Sequence, residues 1–300
     1  MFSGALTALI TPFRDGELDV EALEGMVEHG IRQGIHGLVP CGTTGETPTL
    51  SEKEDRTVIE TVVRVANGRV PVIAGTGSNS TESAIKYTKM AEEAGADGSL
   101  QVAPYYNKPT QEGLYRHFSE ISKSTDLPLV LYNIPGRTGV SISAETTARL
   151  AEIPGVVGTK DATHSMDTIS DIRRMCGSEF SILSGDDSLT LPIMALGGNG
   201  VISVAANVAP GAMGDLVNAL RSADAAERDR GRDLHYEMLP LFRALFVETN
   251  PIPVKSAAAL IGLCSDEMRL PLAPLSGENL AYMEEMLETM PQLLPAPEEA

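Results

Sequence analysis

Lys160 closes an apolar run, Val156-Val157-Gly158-Thr159. A lysine at the end of such a run is partly desolvated, which disfavours its ammonium form and frees the amine. Free amines of this kind attack ketones and form Schiff bases. The plainer alternative is a lysine that pairs with Asp161 where a loop begins. Two phenols stand in comparable places, Tyr132 at the end of an apolar run and Tyr106 in Pro104-Tyr105-Tyr106-Asn107. Phenols can carry protons, and Thr43 of Gly42-Thr43-Thr44-Gly45-Glu46 is able to link them in a relay. Each tyrosine can equally be a half-buried packing residue. The Gly-Thr-Thr-Gly turn offers N–H groups and hydroxyls to a small anion, or is a plain turn before a helix capped at Ser51. Arg137 has the planar fork that grips a carboxylate, or is a surface arginine in a Pro-Gly turn. No Gly-Lys-Ser/Thr follows the Gly-Thr-Thr-Gly turn, so it is not a nucleotide P-loop. The stretch from Gly75 to Ser80 lacks the third glycine of a dinucleotide fingerprint.

These residues need a scaffold that brings distant segments to one end. Short apolar segments recur at a rough 30-residue period, at 5–10, 37–41, 70–75, 98–103, 129–133, 156–160, 181–184 and 200–203. They are apolar on both faces, as strands of a parallel sheet covered by helices are. Charged, amphipathic stretches at 20–32, 52–66, 81–94 and 111–124 alternate with them. Ser51 with Glu54, Ser80 with Ser83, and Ser143 supply helix-start signals. Eight such alternations predict a (β/α)8 barrel of the α/β class, with an open doubly wound sheet as the runner-up. The last interval is the shortest, so its helix must be brief. A barrel works at the C-terminal ends of its strands. There the 42–46 turn follows the second strand, Tyr105 and Tyr106 follow the fourth, and Tyr132 ends the fifth. Lys160 ends the sixth, and Gly185-Asp186-Asp187 follows the seventh. Beyond this, three long helical stretches at 211–223, 225–246 and 253–263 come without strands. The expected division is a catalytic barrel over 1–209 and a helical domain over 210–300, with disorder only at the tail, 295–300.

Composition narrows the function. Net charge is −18, from 41 acidic and 23 basic residues. Such a surface repels nucleic acid and anionic membrane, so neither is an expected partner. Seven Lys against sixteen Arg, and no Trp, suggest adaptation to high salt, the alternative being an ordinary acidic cytosolic enzyme. Cys41, Cys176 and Cys264 form no CxxC pair and no disulfide framework. Five histidines without HExxH or HxH spacing give no metal site. No signal peptide is read at the start, which has no positive charge before Arg14. The charge-free stretch 188–214 is broken by Pro192 and Gly197-Gly198-Asn199-Gly200 and reads as barrel core rather than a membrane span. A cytoplasmic location is expected.

Five motifs then stand in a familiar order: Gly42-Thr43-Thr44-Gly45-Glu46, Pro104-Tyr105-Tyr106-Asn107, Tyr132-Asn133-Ile134-Pro135-Gly136-Arg137-Thr138-Gly139, Gly158-Thr159-Lys160-Asp161-Ala162-Thr163 and Asn250-Pro251-Ile252-Pro253-Val254-Lys255. Together they resemble the dihydrodipicolinate synthase / N-acetylneuraminate lyase family, over about residues 3–287. The resemblance implies a barrel with a helical C-terminal domain, in a homotetramer built from two tight dimers. It implies that Lys160 forms the Schiff base with pyruvate and that Tyr132 is the central acid and base. Thr43 and Tyr106 would complete the proton relay, Tyr106 entering from the neighbouring subunit. Thr44 would hold the pyruvate carboxylate and Ile202 would lie near pyruvate through its backbone; Gly185 and Arg137 complete the expected substrate-binding set. Lys255, a rival nucleophile by type, would be structural. Arg-Thr-Gly after the Tyr-Asn motif resembles the synthase branch, where Arg meets the carboxylate of aspartate 4-semialdehyde. The sibling reading is a 2-keto-3-deoxy sugar acid aldolase, and a non-catalytic binding barrel is the reading from another class. No cofactor is expected.

Overall fold

The computed structural model describes residues 2–294; the expectation for 295–300 lies outside the described residues. All eight expected strands form. They are β1 (Gly4–Ala8), β4 (Gly37–Val39), β5 (Ile73–Gly75), β6 (Gly98–Val102), β7 (Leu129–Asn133), β8 (Val156–Asp161), β9 (Ser181–Ser184) and β10 (Gly200–Ser203). A small antiparallel hairpin, β2 (Phe13–Arg14) with β3 (Glu17–Leu18), was not anticipated. The main sheet runs β4-β1-β10-β9-β8-β7-β6-β5, and every pairing in it is parallel. Its two ends meet through a parallel bridge between Leu38 and Val72, reinforced by Leu38 N donating to Pro71 O at 3.0 Å. The sheet therefore curls into a nearly closed barrel, and the open doubly wound alternative is set aside.

Strand limits shift for local reasons. Residues 70–75 were read as one strand, but regular pairing starts at Ile73, because Pro71 has no N–H to donate and contributes only its carbonyl. The seam between β4 and β5 also needs Gly75. A Cβ there would lie 2.2 Å from the Cys41 carbonyl oxygen.

Alternate strand residues point inward, as the two-residue period requires. Leu6, Ala8, Val39, Ile73, Leu100, Val130, Tyr132, Leu183 and Ile202 fill the barrel interior as one apolar cluster. Outward residues such as Leu38, Leu129, Leu131 and Ile182 are fully buried beneath the helical layer. That double burial explains why the strands read as continuous apolar runs. Helices Val20–Arg32, Glu52–Ala66, Thr81–Glu93, Gln111–Ser122, Ala144–Ala151, Met166–Cys176 and Pro210–Arg221 belong to that layer, with the brief Thr190–Ala195 between β9 and β10. Ser51 and Glu54 form a reciprocal capping box, and Ser80 and Ser143 accept from the third residue of their helices, as the sequence signals required.

Helices Ala225–Ala244, Ile252–Leu260 and Gly277–Thr289 follow. The expected helix at 253–263 ends sooner because Gly262 takes a left-handed φ of 80° and the chain turns back on itself there, Leu263 N donating to Ala258 O at 2.9 Å. The helix at Gly277–Thr289 was not foreseen. Among the described residues no helix is long and apolar enough to cross a membrane.

Candidate active site

The expected reactive residues gather around the C-terminal mouth of the barrel. Tyr132 on β7 and Lys160 on β8 are register partners. The Lys160 amine lies 4.2 Å from the centroid of the Tyr132 ring. The Lys160 amine is pushed down to about 8, chiefly by burial; the Asp187 carboxylate opposes this and the Arg137 cation adds to it. At pH 7 about a tenth of such an amine is neutral, against roughly one part in three thousand for an ordinary lysine. Burial pushes the Tyr132 phenol up to about 12, opposed by Arg137 and by a hydrogen bond with the Thr43 side chain. At neutral pH Tyr132 therefore carries its proton.

Thr43 and Thr44 sit on the turn after β4. The turn closes on itself through Gly45 N to Gly42 O at 3.1 Å and Glu46 N to Thr43 O at 3.2 Å. Glu46 takes a left-handed φ of 55° and turns its carboxylate into the protein. There it accepts from Lys255 Nζ at 2.6 Å and from the Arg269 backbone N at 3.2 Å. Both Glu46 and Lys255 side chains are fully buried. The Thr11 hydroxyl holds the Gly45 carbonyl at 2.7 Å. The turn is thus clamped from the segment after β1 and from the C-terminal region together.

Thr44 is buried, and its hydroxyl oxygen accepts from Asn250 Nδ2 at 3.0 Å. Arg137 lies on the single turn Pro135–Thr138 after β7 and stays open to solvent. Its Nη2 donates to the backbone carbonyl of Asn250 at 3.0 Å. Asp187 is buried after β9, and its Oδ2 accepts from Val204 N at 3.1 Å and Ala205 N at 2.9 Å. Burial raises its carboxyl to about 6 despite these bonds and one from Ser203. Ile202 shares the barrel interior with Tyr132. Gly185 N donates to Asp161 O at 2.7 Å, and a Cβ there would lie 3.0 Å from the same oxygen. A cavity of about 450 Å³ opens at this mouth, and Thr43, Tyr132, Arg137, Asp55, Ser83, Tyr87 and Tyr105 are among its walls.

Lys160, Tyr132 and Thr43 are thus brought together, and Thr44 and Arg137 are joined through Asn250. Tyr106 is not joined to them within one chain. It is 89% exposed with a left-handed φ of 72°, and its backbone N reaches Thr138 O at 3.3 Å. Two neighbours were missed as site residues from the sequence. Asn250 stood in a quoted motif, yet its contact with Thr44 spans 206 positions and leaves no local trace. Asp187 was noted as following a strand, but its burial beside Lys160 was not foreseen.

Comparison with known proteins agrees with this geometry. Residues 1–290 match the model of the "Dihydrodipicolinate synthetase family". A 4-hydroxy-tetrahydrodipicolinate synthase of Thermodesulfovibrio yellowstonii is 52% identical over 289 residues, 96% of this chain and 98% of that one. The enzyme of the same name from Syntrophus aciditrophicus is 54% identical over 288 residues, again 96% and 98%. The crystal structure of dihydrodipicolinate synthase from Aquifex aeolicus superposes with a TM-score of 0.94 at 49% identity, covering 98% of this chain and all of that one. With the barrel, the lysine at its mouth and these matches in agreement, the chain belongs to the dihydrodipicolinate synthetase family.

Proposed function

We propose that this protein is a 4-hydroxy-tetrahydrodipicolinate synthase, which condenses pyruvate with aspartate 4-semialdehyde for lysine and diaminopimelate biosynthesis. The observation that carries the reading is the buried Lys160 amine, its pKa lowered to about 8, against the Tyr132 ring with Thr43 bonded to the phenol. The neutral amine adds to the pyruvate ketone, and loss of water leaves an iminium on Lys160. Tyr132, whose proton is shared with Thr43, mediates removal of a methyl proton to give the enamine. The enamine carbon attacks the aldehyde of the second substrate, forming the new C–C bond and a hydroxyl. The amine of that substrate then adds to the iminium carbon and expels Lys160, which closes the ring. Thr44 receives the pyruvate carboxylate and Arg137 that of the semialdehyde; Ile202 and Gly185 line the pyruvate side.

Tyr106 completes the relay from a neighbouring subunit, which fits a tyrosine left 89% exposed on the single chain. The assembly in this reading is a tetramer of two tight dimers, and the location is cytoplasmic. The test is turnover of pyruvate with aspartate semialdehyde, set against cleavage of 2-keto-3-deoxygluconate. Preference for the sugar acid would move the protein to the sibling aldolases.

A further inference from the structure

We propose that Asn250 is a positioning residue that makes the Thr44 hydroxyl a hydrogen-bond donor towards substrate and ties that setting to Arg137; this rests on the reading that Thr44 and Arg137 receive substrate carboxylates. Asn250 is buried between the two. Its Nδ2 donates to Thr44 Oγ1 at 3.0 Å. A hydroxyl that accepts on its oxygen keeps its proton for another partner, and a carboxylate can only accept. The backbone carbonyl of the same residue accepts from Arg137 Nη2 at 3.0 Å. That contact engages one corner of the guanidinium and leaves its remaining N–H groups for an anion. One residue of the C-terminal region therefore touches both groups that receive carboxylates.

The amide orientation is the crux. Asn250 Nδ2 faces Thr44 while Oδ1 is buried without a partner among the described residues. Turned over, the amide would present Oδ1 to Thr44 and capture the hydroxyl proton, so that Thr44 met a carboxylate with its oxygen lone pairs. The surrounding frame does not depend on this bond. Glu46, two residues after Thr44, is held separately by Lys255, five residues after Asn250. Removing the Asn250 side chain should therefore leave the turn in place while releasing the Thr44 proton from control.

The experiment is a double-substitution cycle read by borohydride trapping of pyruvate on the intact protein. The concentration of pyruvate that gives half-maximal adduct is measured by mass for the wild type, Asn250→Ala, Thr44→Val and the pair. Thr44→Val should raise it about tenfold, as loss of a hydrogen bond to a charged group does, and Asn250→Ala by a smaller factor, because the hydroxyl remains and only its setting is lost. The pair should be no worse than Thr44→Val alone, because Asn250 acts through that hydroxyl. Asn250→Asp keeps the shape and offers only acceptors; it should weaken pyruvate in the Thr44 background and have a smaller effect once Thr44 is Val. It carries the same cycle should Asn250→Ala melt early. If the two losses multiply, Asn250 acts by general disturbance and the proposal is overturned. If the wild type traps no pyruvate, the functional reading itself fails, which is a different result from multiplying losses in a wild type that does trap it.

Discussion

Lys160 and Lys255 make an instructive pair. Both amines are buried, both lie 4.2 Å from the centroid of an aromatic ring, Tyr132 for one and Phe13 for the other, and burial lowers the pKa of both. They differ in their counter-ions. Lys255 has the Glu46 carboxylate at 2.6 Å, which opposes the effect of burial. Among the described residues Lys160 has no carboxylate at ion-pair distance; Asp187 acts on it only as a more distant charge whose oxygen is already bonded to two backbone N–H groups. A buried lysine next to a carboxylate is a structural tie. A buried lysine without one is an amine ready to react.

The contrast breaks most visibly by substitution of either lysine. Lys160→Met should abolish the pyruvate adduct and lower turnover at least about a thousandfold, since no other amine is placed to replace it. Lys255→Met should leave the adduct on Lys160; a borohydride-reduced wild-type peptide carrying the mass on Lys255 would reverse the assignment. Lys255→Met should instead lower stability by about 3–5 kcal/mol, because it strands the buried Glu46 charge. At the usual scaling for a chain of this size, the melting temperature falls by about 5–8 °C. Adding Glu46→Gln should restore much of that loss, and a double variant no more stable than Lys255→Met would show that the pair is not the tie described here.

Arg137→Ala should raise the KM for the acceptor about 10- to 100-fold, while pyruvate trapping persists. It also removes a cation that lowers the Lys160 amine. Trapping rate rises with pH as the amine loses its proton near 8, so in this variant the rise should move to higher pH. Asp187→Asn is the opposite case. The Asp187 charge favours the ammonium form, so its loss should move the rise to lower pH. Movement of both variants in the same direction would mean that backbone shifts, not charge, set the profile.

The barrel was legible because parallel strands buried on both faces print uninterrupted apolar runs, and because Ser51, Ser80 and Ser143 mark helix starts by chemistry that acts within one turn. Helix Gly277–Thr289 was missed although its start carries sequence signals. Ser276 stands at its N-cap and Glu278 in its first turn, yet Ser276 makes no side-chain cap bond and Gly277, a poor helix former, opens it. The hairpin at Phe13 and Glu17 is two residues on each side, too short for any period to register. In the site, the strand-end places of Lys160 and Tyr132 were readable, whereas the roles expected of them came from the resemblance. Their pairing partners were not, because Asn250 to Thr44 and Lys255 to Glu46 cross 206 and 209 positions. Spacing carries information within an element, and these contacts are made between the first quarter of the chain and its last sixth.

That separation also sets an order of assembly during synthesis. A ribosome has delivered Thr43, Tyr132 and Lys160 well before it reaches Lys255, so a nascent barrel carries Glu46 without its cation and Thr44 without its amide. Chains emerge at about 5–20 residues per second, which leaves this interval open for several seconds. A truncated product ending before residue 250 would hold the nucleophile and the phenol but not the support beneath the turn. Completion of the C-terminal helices is in this sense the quality check on the site, since the last-made part of the chain supplies the counter-charge that the first-made part has been waiting for.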